Sequence, residues 1–191
     1  AFIAWLEGHP EESLALSRES LALARRLDPP PVLTLALMFA AQLRRLRGEA
    51  EATEELAVES LALADAHGLS LFAAVDGMLR GWAQVEQGRI EEGIAGLRRS
   101  LDAYRAIGAD SGLPQYFALL AEGHARAGHR AEALEAVRQA LEIMEREGLV
   151  ARGLDAPPAL DPAPGGEGAA RRSPPGRRRG LPTGLPRVAH A

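Results

Sequence analysis

Gly8, Gly48, Gly88 and Gly128 stand forty residues apart, and the text that follows each is nearly the same. The four copies read GHPEESLALSRESLALARRLD, GEAEATEELAVESLALADAHG, GRIEEGIAGLRRSLDAYRAIG and GHRAEALEAVRQALEIMEREG. Leu21, Leu61, Leu101 and Leu141 share one column, with Ser20, Ser60, Ser100 and Ala140 beside them. Gly68, Gly108 and Gly148 share another, where the first copy has Asp28. A third column holds Ala41, Gly81 and Ala121. A fixed period of this length marks units that cannot bury their own apolar face and complete a core by stacking. A generic helical bundle needs no constant repeat length, so the period selects a solenoid.

Each copy reads as two helices. Ile90, Ile94, Leu97, Leu101 and Tyr104 recur at spacings of three and four, which places them on one helical face. Glu91 and Glu92 open that helix and Arg105 lies near its end, as the helix dipole prefers. Ala, Leu, Glu and Arg are good helix formers and dominate the interiors. No alternating apolar pattern suggests a strand. The pattern predicts helices over 10–27, 32–47, 50–67, 70–87, 90–107, 114–127 and 130–147, with a partial helix before Gly8. Pro29, Pro30 and Pro31 read as one stiff connection. Connections of two to six residues force antiparallel neighbours. Small residues recur in the first helix of each pair (Ala41, Gly81, Ala121) and in the second (Ser13, Thr53, Gly93, Ala133), which lets the axes approach closely. The expected fold is all-α, a right-handed superhelical solenoid of antiparallel helix pairs with a 40-residue period over residues 1–148.

Composition removes several function classes. The 191 residues contain no cysteine, so disulfides and thiolate metal sites are excluded. All 22 basic residues are arginine. The absence of lysine excludes a GxxxxGK[ST] phosphate loop, and the arginine bias reads as that of a GC-rich genome. The longest apolar-leaning run, Val32 to Ala41, is about half a membrane span. No signal sequence opens the chain, and a cytoplasmic location is the expectation. Because the first residue is Ala1, the chain reads as a fragment.

From residue 149 the pattern breaks. The stretch to 191 has eight prolines and no aromatic residue. Seven arginines against three acids give it +4, which leaves −8 on residues 1–148 of a chain whose total is −4. Proline and glycine at this density sustain no helix, so 149–191 reads as a disordered tail. An out-of-frame reading of a GC-rich gene is the competing account, since shifted codons there permit Trp, His, Arg and Leu. Arg171, Arg172, Arg177, Arg178 and Arg179 have no aromatic residues among them for base stacking, and they read as solvated charge. The acidic body argues against a folded nucleic-acid surface.

The columns resemble tetratricopeptide repeats. With Gly48, Gly88 and Gly128 as the turn between helices A and B, Ala41, Gly81 and Ala121 take the small position of helix A. Thr53, Gly93 and Ala133, then Ser60, Ser100 and Ala140, take the two small positions of helix B. Phe117 and Leu120 match large positions of helix A in the last copy. The sequence departs from the family in three ways. Its period is 40 rather than 34 residues, and Arg44, Gln84 and His124 stand where an aromatic is favoured. The proline that usually ends helix B is also missing. Residues 1–148 make about three and a half repeats. The wording from Arg80 to Val137 further resembles the C-terminal repeat region of bacterial AAA/STAND-type ATPases fused to nucleotide cyclases, and of LuxR-type regulators.

That resemblance implies a non-catalytic protein-interaction scaffold without cofactor, its partner a protein, a peptide or a neighbouring domain of a larger signalling chain. Helix A lines the concave face in such arrays. The corresponding positions here are Gln42 and Arg45, then Met78, Trp82 and Glu86, then Gln115, Glu122 and Arg126, with Phe2 and Trp5 in the first copy. A spacer that binds nothing and a hidden enzyme site are the alternatives. His124 and His129 are five residues apart, a poor spacing for metal ligands on one helix, and read as ordinary turn and surface histidines. The adjacent pairs Glu11–Glu12, Glu54–Glu55 and Glu91–Glu92 read as helix-start carboxylates. Leu134, Val137, Leu141 and Met144 are expected to be partly uncovered where the array stops, a route to self-association.

Overall fold

The computed structural model describes residues 1–27 and 29–146. The expected tail over 149–191, with its arginine cluster, lies outside the described residues. Among those described there are eight helices and no strand. They are α1 (Phe2–Leu6), α2 (Pro10–Leu27), α3 (Pro30–Leu46), α4 (Ala50–Ala66), α5 (Ser70–Glu86), α6 (Ile90–Ala106), α7 (Leu113–Arg126) and α8 (Arg130–Arg146). Each helix packs on the next, and α5 also touches α3 and α7. The second helix of each hairpin therefore packs on the first helix of the next, and successive first helices also touch, the arrangement of a stack.

The repeated glycine explains the sharpness of the turns. Gly8, Gly48, Gly88 and Gly128 all have φ between 73° and 84°, the left-handed region that a Cβ disfavours. In each case the following amide reaches back to the carbonyl five residues earlier: His9 to Ala4, Glu49 to Arg44, Arg89 to Gln84 and His129 to His124, at 2.8–3.0 Å. This closure satisfies carbonyls that the helix end leaves without partners.

The helix starts differ from expectation by one residue at α7, which opens at Leu113, and by two at α3. Pro30 and Pro31 lie inside the first turn of α3, not in a connection. The first helical positions need no amide donor, and proline's fixed φ suits them.

The core follows the columns. Leu37, Leu43, Met78, Leu79 and Leu97 are fully buried. The small columns bring α5 and α6 closest, at Gly81 against Gly93. A Cβ on Gly93 would stand 2.6 Å from the Gly81 carbonyl oxygen. The other pairs have Ala41 with Thr53 and Ala121 with Ala133 in these columns, so side chains are accommodated there.

Candidate interaction surface

Helices α3, α5 and α7 carry all the groove positions beyond the first copy. The last turns of these helices bring five of them together. The Arg45 guanidinium of α3 lies 6.0 Å from the centre of the Trp82 ring on α5. Burial pulls this arginine below its ordinary pKa, opposed by the nearby Glu122 carboxylate of α7. Glu86 of α5 and Arg126 of α7 form an ion pair at 2.6 Å. A cation, an indole and three further charges thus run across the first helices of three successive hairpins.

The remaining positions stand apart. Gln42 is half-buried and Gln115 is exposed. Met78 has no exposed surface, and Trp82 is buried, 6% exposed. Met78 is therefore core, and Trp82 packs between helices while backing Arg45. Phe2 is half-buried and meets Phe39 edge-on at 5.6 Å, and Trp5 is half-buried.

The residues that replace the family's aromatic in helix A all make polar contacts. Arg44 pairs with Glu49. The Gln84 amide donates to Glu92 Oε1 at 2.7 Å. His124 Nε2 lies 3.0 Å from Arg98 Nη2. Arginine only donates, so Nε2 accepts and the proton sits on Nδ1. Burial first, then Arg98, holds His124 below its usual pKa. This corrects its reading as an ordinary turn or surface histidine: its ring is buried, 5.7 Å from that of His129. Among the described residues no group of three or more His, Asp or Glu is placed to hold a metal ion.

The helix-start carboxylates are dispersed. Glu54 binds Arg89 at 2.5 Å, which is the main reason its pKa is lowered. Glu11 reaches Arg47, and Glu91 lies 3.8 Å from His129.

One polar cluster went unread in the sequence. Asp76 of α5 is fully buried, and burial pushes its carboxyl up to about 7. Its hydrogen-bond partner among the described residues is the Ser60 hydroxyl of α4 at 2.6 Å, which also lies 3.1 Å from the Thr34 carbonyl of α3. Nearby, burial pushes Tyr116 up to about 12, and its ring meets Tyr104 edge-on at 5.2 Å. The available signal was a carboxylate in the column of Ala36 and Tyr116, two positions on from the apolar Ala74.

The architecture is that of tetratricopeptide-like helical repeats. Two similar solved structures are of a putative kinesin light chain from Podosopora anserina with nearly identical TPR-like repeats. One of them, a point-variant form, matches with a TM-score of 0.56 at 16% identity, over 76% of this chain and 72% of its own. The second matches with a TM-score of 0.52 at 17% identity, over 75% and 71%. At such identity the likeness shows the fold alone. No protein-family model and no curated protein matches the chain. No described helix is long and apolar enough to cross a membrane.

Proposed function

We propose that this chain is a non-catalytic scaffold that holds a peptide or helix of a partner protein against α3, α5 and α7, the concave face of the resembled arrays. The observation that carries this reading is the run of Arg45, Trp82, Glu86, Glu122 and Arg126 across three helices. Helical-repeat arrays present such polar rows to extended partners. An enzyme is the weaker reading, because the most shifted carboxyl, Asp76, has no surface that a substrate reaches. The spacer reading draws support from the Glu86–Arg126 pair, whose charges already satisfy each other. By its resemblance the chain belongs in a larger cytoplasmic signalling ATPase–cyclase or LuxR-type regulator, with the partner a neighbouring domain. Sequencing the surrounding gene tests that context.

Selection of displayed peptides against the full chain tests the binding reading. Peptides that bind should lose affinity about tenfold or more when Glu122→Arg and Arg126→Glu are combined. Both side chains are exposed, so the fold should stand. Peptides indifferent to this double change, or no enriched peptide at all, would leave the spacer.

A further inference from the structure

In the middle of the array, the third repeat carries a polar cavity where its neighbours carry apolar side chains. The cavity measures about 200 Å³ and lies between α5 and α6, with Leu61 of α4 on one wall. Arg80 of α5 and Arg99 and Ser100 of α6 line it, and Gly77 and Gly96 form part of its floor. A Cβ on Gly77 would stand 2.2 Å from the Ser100 hydroxyl oxygen.

Counting forty residues in each direction shows how the cavity arises. Gly77 stands in the column of Leu37 and Phe117, and Gly96 in that of Leu56 and Ala136. Leu37, Phe117 and Ala136 are buried, and Leu56 is half-buried. Arg80 takes the place of Ala40 and Leu120, and Arg99 that of Glu59 and Gln139. The third repeat therefore loses two apolar side chains and gains two cations at one place. Both glycines lie inside helices, where each costs about 1 kcal/mol relative to alanine. The close crossing of α5 and α6 does not require Gly96, since a Cβ there would meet nothing closer than 3.6 Å.

The charges around the cavity are unbalanced. Arg80 Nε is buried and has no hydrogen-bond partner among the described residues. Glu54 is 3.9 Å from it, beyond hydrogen-bond reach, and is held instead by Arg89 and by the Gln87 amide at 2.8 Å. Glu92, on the rim, accepts from the Gln84 amide at 2.7 Å and lies 3.6 Å from Arg89. Arg80, Arg89 and Arg99 thus face two carboxylates, which leaves one positive charge over.

We infer that this cavity binds a phosphate-class oxyanion. Arginine only donates, and its planar fork matches the oxygens of such an anion. The Ser100 hydroxyl supplies a further donor, and the two glycines let the anion lie close to the helix backbones. Pockets that enclose drug-sized ligands measure roughly 300–1,000 Å³, so this one has room for a phosphate group and not for a nucleotide. The site shares no residue with the row at Arg45 and Trp82, and it stands or falls independently of it.

The probe is inorganic phosphate, titrated calorimetrically into the full chain at constant ionic strength. Saturable binding is expected, weakened about tenfold or more by Arg80→Gln and by Arg99→Gln. Gly96→Leu, which restores the residue of the second repeat, should abolish it. Arg26→Gln, at an exposed arginine of α2, should leave it unaltered. Circular dichroism establishes that each variant is folded, and the two arginine variants decide the matter if Gly96→Leu is not. Phenyl phosphate separates the sources of the anion. Binding equal to that of phosphate assigns the phosphate group of a larger molecule, and rejection of it assigns the free ion. Absent binding, or binding indifferent to both Arg80→Gln and Arg99→Gln, overturns the proposal.

Discussion

Asp76 is the residue at which pH should act on this fold. A carboxyl pushed up to about 7 by burial is held neutral in the folded chain over a range where the unfolded chain ionises, from its ordinary 3.8 upward. The folded state therefore binds the extra proton. Its stabilising effect is fully present below about 4 and is lost as pH rises through about 7. The difference is on the order of 4 kcal/mol across that range. Ser60 gives the atomic reason. Its hydroxyl has one hydrogen and two acceptors within reach, at 2.6 and 3.1 Å. When Asp76 is protonated it donates to Ser60, which then donates to the Thr34 carbonyl. When Asp76 is ionised, Ser60 turns to the carboxylate and the Thr34 carbonyl loses this side-chain donor. Asp76→Asn cannot ionise. Urea unfolding at pH 4.5 and pH 8 should show the parent losing stability relative to this variant as pH rises. Equal slopes for the two proteins would show that Asp76 does not carry the effect. His124 works with the opposite sign. Its lowered pKa favours the neutral ring, so its contribution is present above about 6.5 and lost as pH falls.

Between elements, the crossing of α5 over α6 is the tightest geometry in the array. An alanine Cβ at Gly93 would meet backbone and side chain of α5 at 2.6–2.8 Å, where neither has room to move. An alanine at Gly96, one turn further on the same helix, would meet nothing closer than 3.6 Å. Both changes raise helix propensity by about 1 kcal/mol. Gly96→Ala should therefore stabilise by about that amount, while Gly93→Ala should give a net loss of about 1–2 kcal/mol from overpacking. Thermal denaturation of the two variants decides it, and parallel gains in both would remove the close-crossing explanation.

This crossing was legible in the sequence as a pair of small columns, and the helices were legible as a 40-residue period punctuated by glycine. The start of α3 was not, because a proline run looks the same in a stiff connection and in a first helical turn. The surface was harder. Counting forty residues places Trp82 in the column of half-buried Gln42 and exposed Glu122, and Met78 in that of half-buried Met38 and exposed Ala118. But α5 has helices on more sides than an end helix does, and its buried arc is wider: it buries Val75, Met78, Leu79, Trp82 and Val85. A repeat register knows the column and not the place in the stack. Asp76 has no counterpart in the other repeats, so no column announced it.

For the whole molecule, the same stacking logic predicts how stability is distributed. Repeat arrays are held mainly by contacts between nearest neighbours, so each unit is as stable as the interfaces on its two sides. α5 and α6 sit in the middle and share the most extensive interface. Exposed apolar side chains gather at the ends instead. They are Ile3, Leu6, Leu16, Leu23, Leu27, Val32, Leu35 and Phe39 towards one, and Leu134, Val137 and Leu141 on α8, against Val58, Leu71 and Ile107 between. Native-state hydrogen exchange should therefore find the slowest amides in α5 and α6, with protection falling through α3 and α7 to α1 and α8. Gly93→Ala should lower the maximum and flatten the profile, since it loosens the interface that sets it. A profile already uniform from α2 to α8 in the parent chain would mean that the array opens only as one cooperative unit. In that case the ends are stabilised as firmly as the centre despite their uncovered faces, and the nearest-neighbour account fails for this chain.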